Sequence, residues 1–302
     1  IYRVIMKLLQ LIAYLSNYAN VLQFCLSNKL IEARKKCPRC HMFMKMVDFL
    51  NIDKLIWRCR LNGCDTKLSI RSGSFFSGSK MPLSKIILFF HLWVKNYPSR
   101  IIMEDFEFAP HTVVDWNRFL REFCVSFYDR NTMNKIGGPN KVVELDETLI
   151  VKRKYNRGRV LKEQWLFGGI CRKQDNRQNF EIFVEFVDDR TASTLLEIIE
   201  RRIEPGSIVI TDGWRAYNNI EQLGMTHHVI IHEDYFVDPE FPEIHTQNIE
   251  NLWLCLKRML RYKGTNREPH CWEYIAEFLF RKQNKDLFQA LILEIQLNYP
   301  LQ

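Results

Sequence analysis

Three acidic residues sit where distant parts of the chain could share one hard divalent cation. Asp146 lies inside the apolar run Val142-Val143-Glu144-Leu145-Asp146, and Asp212 ends another, Ser207-Ile208-Val209-Ile210-Thr211-Asp212. Glu250 opens an amphipathic helix in His245-Thr246-Gln247-Asn248-Ile249-Glu250-Asn251-Leu252-Trp253. A carboxylate flanked by β-branched residues is expensive to bury unless a cation or a hydrogen-bond network compensates it. Two strand acids and one helix acid therefore predict an oxygen-ligand site. Two Mg²⁺ ions held about 3.5–4 Å apart in such a site serve both the attacking and the leaving oxygen of a phosphoryl displacement. Singly, each acid reads as a strand-end or capping carboxylate; the three together, in this order, read as a site.

The neighbours of these acids define the alternatives. Glu144 shares a strand face with Asp146, whereas Glu147 points away. Asp212 precedes Gly213-Trp214-Arg215, where the backbone turns and a side chain can face a cleft. On the last of the three segments Glu250, Leu254, Lys257 and Arg261 share a helix face, so cations follow the acid by two and three turns, with Arg258 beside them. An ordinary solvated charge stripe has the same spacing. Asn248 is the alternative third ligand through its amide oxygen, although a full carboxylate neutralises Mg²⁺ better. His245 reads as a loop residue against nucleic acid. The loop Lys152-Arg153-Lys154-Tyr155-Asn156-Arg157-Gly158-Arg159 carries five cations just after Asp146. Lys152, Arg153, Lys154, Arg157 and Arg159 suit a phosphate backbone laid over the acids; a solvated hairpin is the bland alternative.

Positioning these residues requires a sizeable core, and the composition supplies it: 302 residues, 47% hydrophobic, enough for one large domain or two modest ones. Lys and Arg exceed Asp and Glu by 43 to 35, a formal charge of +8 that favours a polyanionic partner without requiring one. Nine cysteines with two short-spaced pairs argue for metal in a reducing compartment rather than a disulfide framework. Cys37-Pro38-Arg39-Cys40 and Cys59-Arg60-Leu61-Asn62-Gly63-Cys64 can close a tetrahedral Zn²⁺ site that replaces the core a short segment lacks. The apolar stretch from Ile1 to Leu30 is too interrupted for a membrane span and reads as an amphipathic helix; no membrane partner is expected.

The organisation that follows is an N-terminal helical segment (1–36), a zinc-ribbon module (37–80) and a helical module (81–130). In the helical module a short helix, a turn at Phe108-Ala109-Pro110 and a longer basic helix carrying Arg118 and Arg121 have the pattern of a helix-turn-helix. A polar hinge, 131–140, precedes the remainder. There strands are expected at 142–150, 163–173 and 180–188, a helix at 191–202, a strand at 207–211, a helix at 213–222, a strand near 227–231 and a helix at 247–262. This order predicts an α/β fold, an RNase H-like mixed sheet flanked by helices over 141–265, with C-terminal helices in 266–302.

Several of these stretches resemble the Merlin superfamily of DDE transposases and their bacterial insertion-sequence relatives. The similarity rests on Val143-Glu144-Leu145-Asp146-Glu147-Thr148, the basic loop 152–159, Gln164-Trp165-Leu166-Phe167-Gly168-Gly169, Thr211-Asp212-Gly213-Trp214-Arg215-Ala216-Tyr217, Phe236-Val237-Asp238-Pro239 and the segment 245–253. It runs from Cys37 to about Arg281. The resemblance implies an RNase H-like catalytic domain with Asp146, Asp212 and Glu250 as the triad on Mg²⁺ or Mn²⁺. It also implies a zinc-bearing N-terminal region that recognises terminal inverted repeats. Some bacterial relatives carry Asn at the third position, which keeps Asn248 open. The expected activity is metal-dependent cleavage and strand transfer on double-stranded DNA, at transposon ends and target, by a homodimer or larger assembly. Nuclear location is expected if the host is eukaryotic, otherwise cytoplasm or nucleoid. The rivals are a domesticated DNA-binding descendant that no longer cuts and a nuclease acting without strand transfer.

Overall fold

The computed structural model describes residues 7–61, 63–151, 164–173, 179–230, 244–264 and 271–301. The chain divides into two compact units, Ile1–Phe123 with Asp286–Gln302, and Cys124–Lys285.

In the first unit the expected N-terminal helix is two helices, α1 (Leu8–Leu15) and α2 (Tyr18–Ser27). The break falls at Asn17, whose side chain accepts from the Ala19 N–H at 2.9 Å and caps α2. A three-stranded antiparallel sheet follows, β1 (Lys45–Asp48), β2 (Leu55–Arg58) and β3 (Lys67–Ser69). This small sheet has a buried ion pair at its base. Arg71 donates to both Asp53 carboxylate oxygens at 2.7 and 2.5 Å and to the Ser79 and Met81 carbonyls. The helical module comprises α3 (Leu83–Val94), α4 (Ser99–Asp105) and α5 (Pro110–Asn131), with the division between units falling inside α5. Pro98 and Pro110 open α4 and α5 where a missing N–H costs nothing. The last helix, Leu287–Asn298, belongs to this unit, and Tyr299 beyond it stacks edge-on with Phe123 at 6.2 Å.

The second unit holds β4 (Ile136–Gly137), β5 (Val142–Val151), β6 (Gln164–Cys171), β7 (Glu181–Val187), α6 (Ala192–Arg202), β8 (Ile203–Glu204), β9 (Ile208–Asp212), β10 (Thr226–Ile230), α7 (Gln247–Lys263) and α8 (Cys271–Gln283). The main sheet is mixed, in the order β10-β9-β5-β6-β7. β5, β6 and β7 are antiparallel neighbours, while β9 runs parallel to both β5 and β10. Alternation sends Val143, Leu145, Phe167 and Phe183 to one core with Leu195 and Ile199 of α6. The opposite parity sends Leu166, Ile170 and Val184 to a second core with Ile249, Leu252, Trp253 and Leu256 of α7. The sheet is thus flanked by helices on both faces.

One expected element is different. Residues 213–222 form two short 3-10 turns, Arg215–Tyr217 and Ile220–Leu223, rather than an α-helix. Asn218 and Asn219 stand between them, residues that favour turns over helix interiors, and Gly224 ends the second turn at φ +78°. The short parallel pair β4–β8 lies partly within the polar hinge, where Ile136 is buried against the sheet core. Among the described residues no helix is long and apolar enough to cross a membrane.

Candidate active site

The β5–β9 ladder sets the first two acids. Val142 pairs with Ile208 and Glu144 with Ile210 in parallel register. Continuing that register by two residues puts Asp146 level with Asp212, and alternation puts both on the sheet face that α7 covers. Glu250 lies in the first turn of α7. Asp146 senses the other two acids. Burial pushes the Asp146 carboxyl up to about 7, and the negative charges of Glu147, Asp212 and Glu250 add to the shift. Glu147 is also raised, by burial first and by Asp212, against the opposing effects of the Tyr217 hydroxyl and Arg190. Lys257 is the cation on the same side of the balance: burial lowers its pKa while Asp146 opposes that. Three further carboxylates, those of Glu147, Asp212 and Glu250, thus lie within electrostatic reach of Asp146, a setting that favours a bound cation. The acids do not, however, converge on a common point. Among the described residues, the cysteine quartet is the only group of three or more ligand types whose donor atoms all lie within 4.8 Å of one another.

Glu144 has the face expected of it, and its side chain is wholly committed elsewhere. It is fully buried, and its carboxylate accepts from Arg172 Nε at 2.6 Å, Asn248 Nδ2 at 2.6 Å, and the backbone N–H groups of Asn248 and Ile249 at 2.8 and 3.0 Å. Those two N–H groups belong to the first turn of α7, whose own N-cap Thr246 makes no side-chain cap. A strand carboxylate therefore does the capping across the sheet, favoured by the positive end of the helix dipole. Thr246 instead donates its hydroxyl to Glu250 at 2.7 Å. Arg172 also reaches the His245 carbonyl at 2.7 Å, which holds the segment leading into α7. His245 lies 3.6 Å from Glu144, and burial followed by the Arg172 charge lowers its pKa. Asn248 thus spends an amide N–H on Glu144, a bond that does not use Oδ1, the atom a metal would take.

A glycine completes the seating of α7. Gly168 on β6 is the cross-strand partner of Asp146. A Cβ there would stand 2.6 Å from Trp253 Cη2 and 2.9 Å from the Phe183 carbonyl oxygen. Trp253, one helical turn after Glu250, fills the space that Gly168 leaves. Sequence reading gave no role to Arg172, Trp253 or Gly168; the Gly168-Gly169 pair inside a strand is the signal that marks close approach.

The remaining predicted residues divide as follows. On α5, Arg118 is exposed and paired with Glu122 at 3.3 Å, and Arg121 is half-buried. On α7, Lys257 is half-buried, while Arg258 and Arg261 are exposed. The basic loop Lys152, Arg153, Lys154, Arg157 and Arg159 lies outside the described residues, as does Phe236–Pro239. The four predicted zinc ligands do come together: Sγ of Cys37 and Cys64 are 3.7 Å apart and those of Cys40 and Cys59 3.4 Å. A tetrahedral Zn²⁺ with bonds of about 2.3 Å sets its sulfurs about 3.8 Å apart, so the quartet fits the ion. The Thr66 hydroxyl, 3.2 Å from Cys64 Sγ, holds that thiol below its usual pKa and favours the thiolate a metal needs.

Comparison with known proteins agrees with this division. The family model of the ISXO2-like transposase domain matches residues 137–283, which lie within the second unit. The male abnormal protein mab-31 of Caenorhabditis elegans is 24% identical over 291 residues, 87% of this chain; the chain spans 63% of that protein's length. An uncharacterised transposase-like protein of Haemophilus influenzae is 28% identical over 118 residues, 39% of this chain and 93% of its own. The domain match and the bacterial relative support a transposase-derived chain.

Proposed function

We propose that the second unit is an RNase H-like polynucleotidyl transferase domain of the Merlin type, acting on double-stranded DNA. What supports this reading is the parallel β5–β9 register, which continued two residues beyond Glu144 and Ile210 brings Asp146 and Asp212 level, together with the charges of Asp212 and Glu250 felt at Asp146. The surplus of carboxylate around Asp146 suits Mg²⁺ or Mn²⁺, which Asp146, Asp212 and Glu250 would hold. When bound, the metal ions supply Lewis-acid activation of water or a 3′-hydroxyl and of the scissile phosphate. The chain's own part is to hold that charge in place, to neutralise phosphate and to keep the acids fixed. The Thr246 hydroxyl, donated to Glu250, orients that carboxylate. Lys257, Arg258 and Arg261 contact phosphate, joined by the loop cations Lys152, Arg153, Lys154, Arg157 and Arg159. In the first unit Zn²⁺ on Cys37, Cys40, Cys59 and Cys64 stabilises the ribbon, and α4–α5 with Arg118 and Arg121 act as a helix-turn-helix on terminal inverted repeats. Joining two transposon ends calls for a homodimer or larger, working in the nucleus if the host is eukaryotic.

A second reading, a DNA-binding descendant that no longer cuts, is favoured by the fact that, among the described residues, the cysteines form a compact ligand cluster and the three acids do not. One experiment separates the two. The full chain is incubated with Mg²⁺ and duplex DNA carrying the termini that flank its gene, beside Asp146→Asn, Glu250→Gln and Asn248→Ala. Cleavage and joining lost with Asp146→Asn and Glu250→Gln but retained with Asn248→Ala support the transferase and its triad. Loss with Asn248→Ala and survival with Glu250→Gln would transfer the third ligand to Asn248. Binding of the termini without any cutting by the unsubstituted chain establishes the second reading.

A further inference from the structure

Next to Asp212 the second unit has a feature that metal chemistry leaves unused. Arg190 lies with its guanidinium 3.8 Å from the centre of the Trp165 ring and 5.1 Å from that of Trp214. These residues come from three separate segments: β6, the β7–α6 connection and the turn after β9. The connection is held by Asp189, whose Oδ1 accepts from the Thr191 N–H at 3.0 Å, the Thr191 hydroxyl at 2.7 Å and the Thr194 hydroxyl at 2.8 Å. The backbone at Trp214 is tied to Asp212, since its main-chain N–H donates to Asp212 Oδ1 at 3.1 Å. Yet its indole is 46% exposed, and it borders an open groove of 900 Å³ also lined by Thr191, Gly213 and Arg215.

An exposed indole backed by a stacked guanidinium is a poor arrangement for a solvated surface and a good one for a flat, electron-rich ring. Aromatic rings and Arg planes bind unpaired bases by stacking, with little regard to sequence. The groove's cations, Arg190 and the exposed Arg215, match the phosphates that come with such a base. A paired base presents only its edge and cannot stack here. We infer that the Trp214–Arg190 groove is a stacking subsite for one unpaired base of the DNA strand whose phosphate lies at Asp212. This rests on the reading of the acid centre as a DNA site, and it adds that the strand is locally unpaired beside the scissile phosphate.

The test reads binding, so it stands apart from cleavage. The full chain is titrated without added Mg²⁺ with a duplex containing a short single-stranded gap that carries 2-aminopurine, and with the fully paired duplex of the same length. Tighter binding of the gapped DNA, with a change in 2-aminopurine fluorescence, is expected. Trp214→Ala weakens gapped binding about 5- to 150-fold, the range for loss of one base–aromatic stack. It leaves paired-duplex affinity in place, and Trp214→Phe restores most of the loss. Because the indole is half exposed, truncation leaves the core intact, and an unchanged melting temperature checks this. Equal weakening on both DNAs, or gapped binding indifferent to Trp214, overturns the inference. A chain with the stacking signature that never cuts with Mg²⁺ sinks the transferase reading alone. A chain that cuts but shows no Trp214-dependent preference sinks the subsite alone.

Discussion

Glu144 and Asp146 stand two residues apart on one strand face, and their removal should have opposite effects on stability. In Glu144→Gln the amide NH₂ replaces one carboxylate oxygen. Each Glu144 oxygen accepts two donors, Arg172 Nε and Asn248 Nδ2 on one, the Asn248 and Ile249 N–H groups on the other. In either orientation the new NH₂ therefore faces two donors, and no water reaches a fully buried side chain to relieve it. Losing two charge-assisted bonds together with the countercharge of Arg172 amounts to breaking a buried ion pair, about 3–5 kcal/mol in all. For a unit of this size that corresponds to a fall in melting temperature of roughly 6–20 °C. Asp146→Asn behaves otherwise. An acid whose pKa is raised in the fold is stabilising below its ordinary pKa, and that advantage fades as pH rises through the folded value, here from 3.8 toward about 7. Three pKa units set a ceiling of about 4 kcal/mol on the cost of ionising Asp146 without metal. Thermal unfolding of the full chain without Mg²⁺ should thus show Asp146→Asn melting above the unsubstituted chain at about pH 8.5 and near it at about pH 4, with Glu144→Gln well below at both. Both should lack metal-dependent activity. A Glu144→Gln chain melting within about 2 °C of the original, less than 1 kcal/mol, would refute the anchoring argument. So would an Asp146→Asn chain that loses as much stability as Glu144→Gln.

The same geometry predicts three further outcomes. Gly168→Ala places a methyl against Trp253 and the Phe183 carbonyl, at about 1–3 kcal/mol of overpacking. Its activity should fall by more than its melting temperature explains, because Trp253 seats the turn that carries Glu250; matched losses would count against that. With Asp146 as the proposed Mg²⁺ ligand, metal binding would displace its proton, so the midpoint of Mg²⁺-induced stabilisation should tighten about tenfold per pH unit as pH rises toward about 7 and level off above it. A flat profile across that range would exclude Asp146 as a ligand. Titration with a thiol-specific mercurial should release one Zn²⁺ per chain, measured by a metal-sensitive dye, and Cys59→Ser should purify with substoichiometric zinc. Full zinc occupancy in that variant would break the quartet assignment.

Much of this protein is written in short-range pattern. Apolar runs bounded by polar residues specify β5, β6, β7 and β9, nearly continuous because helices cover both faces of the sheet. The two cysteine pairs specify their cluster because few other partners could bury four thiols in so short a segment. Asp146, Asp212 and Glu250 can be proposed as a set from the sequence, since each interrupts, ends or opens an apolar element. Pattern failed where two solutions share one parity. Alternation puts Glu144 and Asp146 on the same face and cannot say which carboxylate meets the helix N-terminus and which has its pKa raised among other acids. Pattern also failed at 213–222, where apolar spacing suggested a helix and a central Asn-Asn pair allowed only two turns. The Trp165–Arg190–Trp214 stack and the return of Leu287–Asn298 to the first unit join segments far apart in sequence. Periodicity fixes which way a side chain points along its own element; what it meets there depends on which other element crosses that face, and only the folded chain decides that.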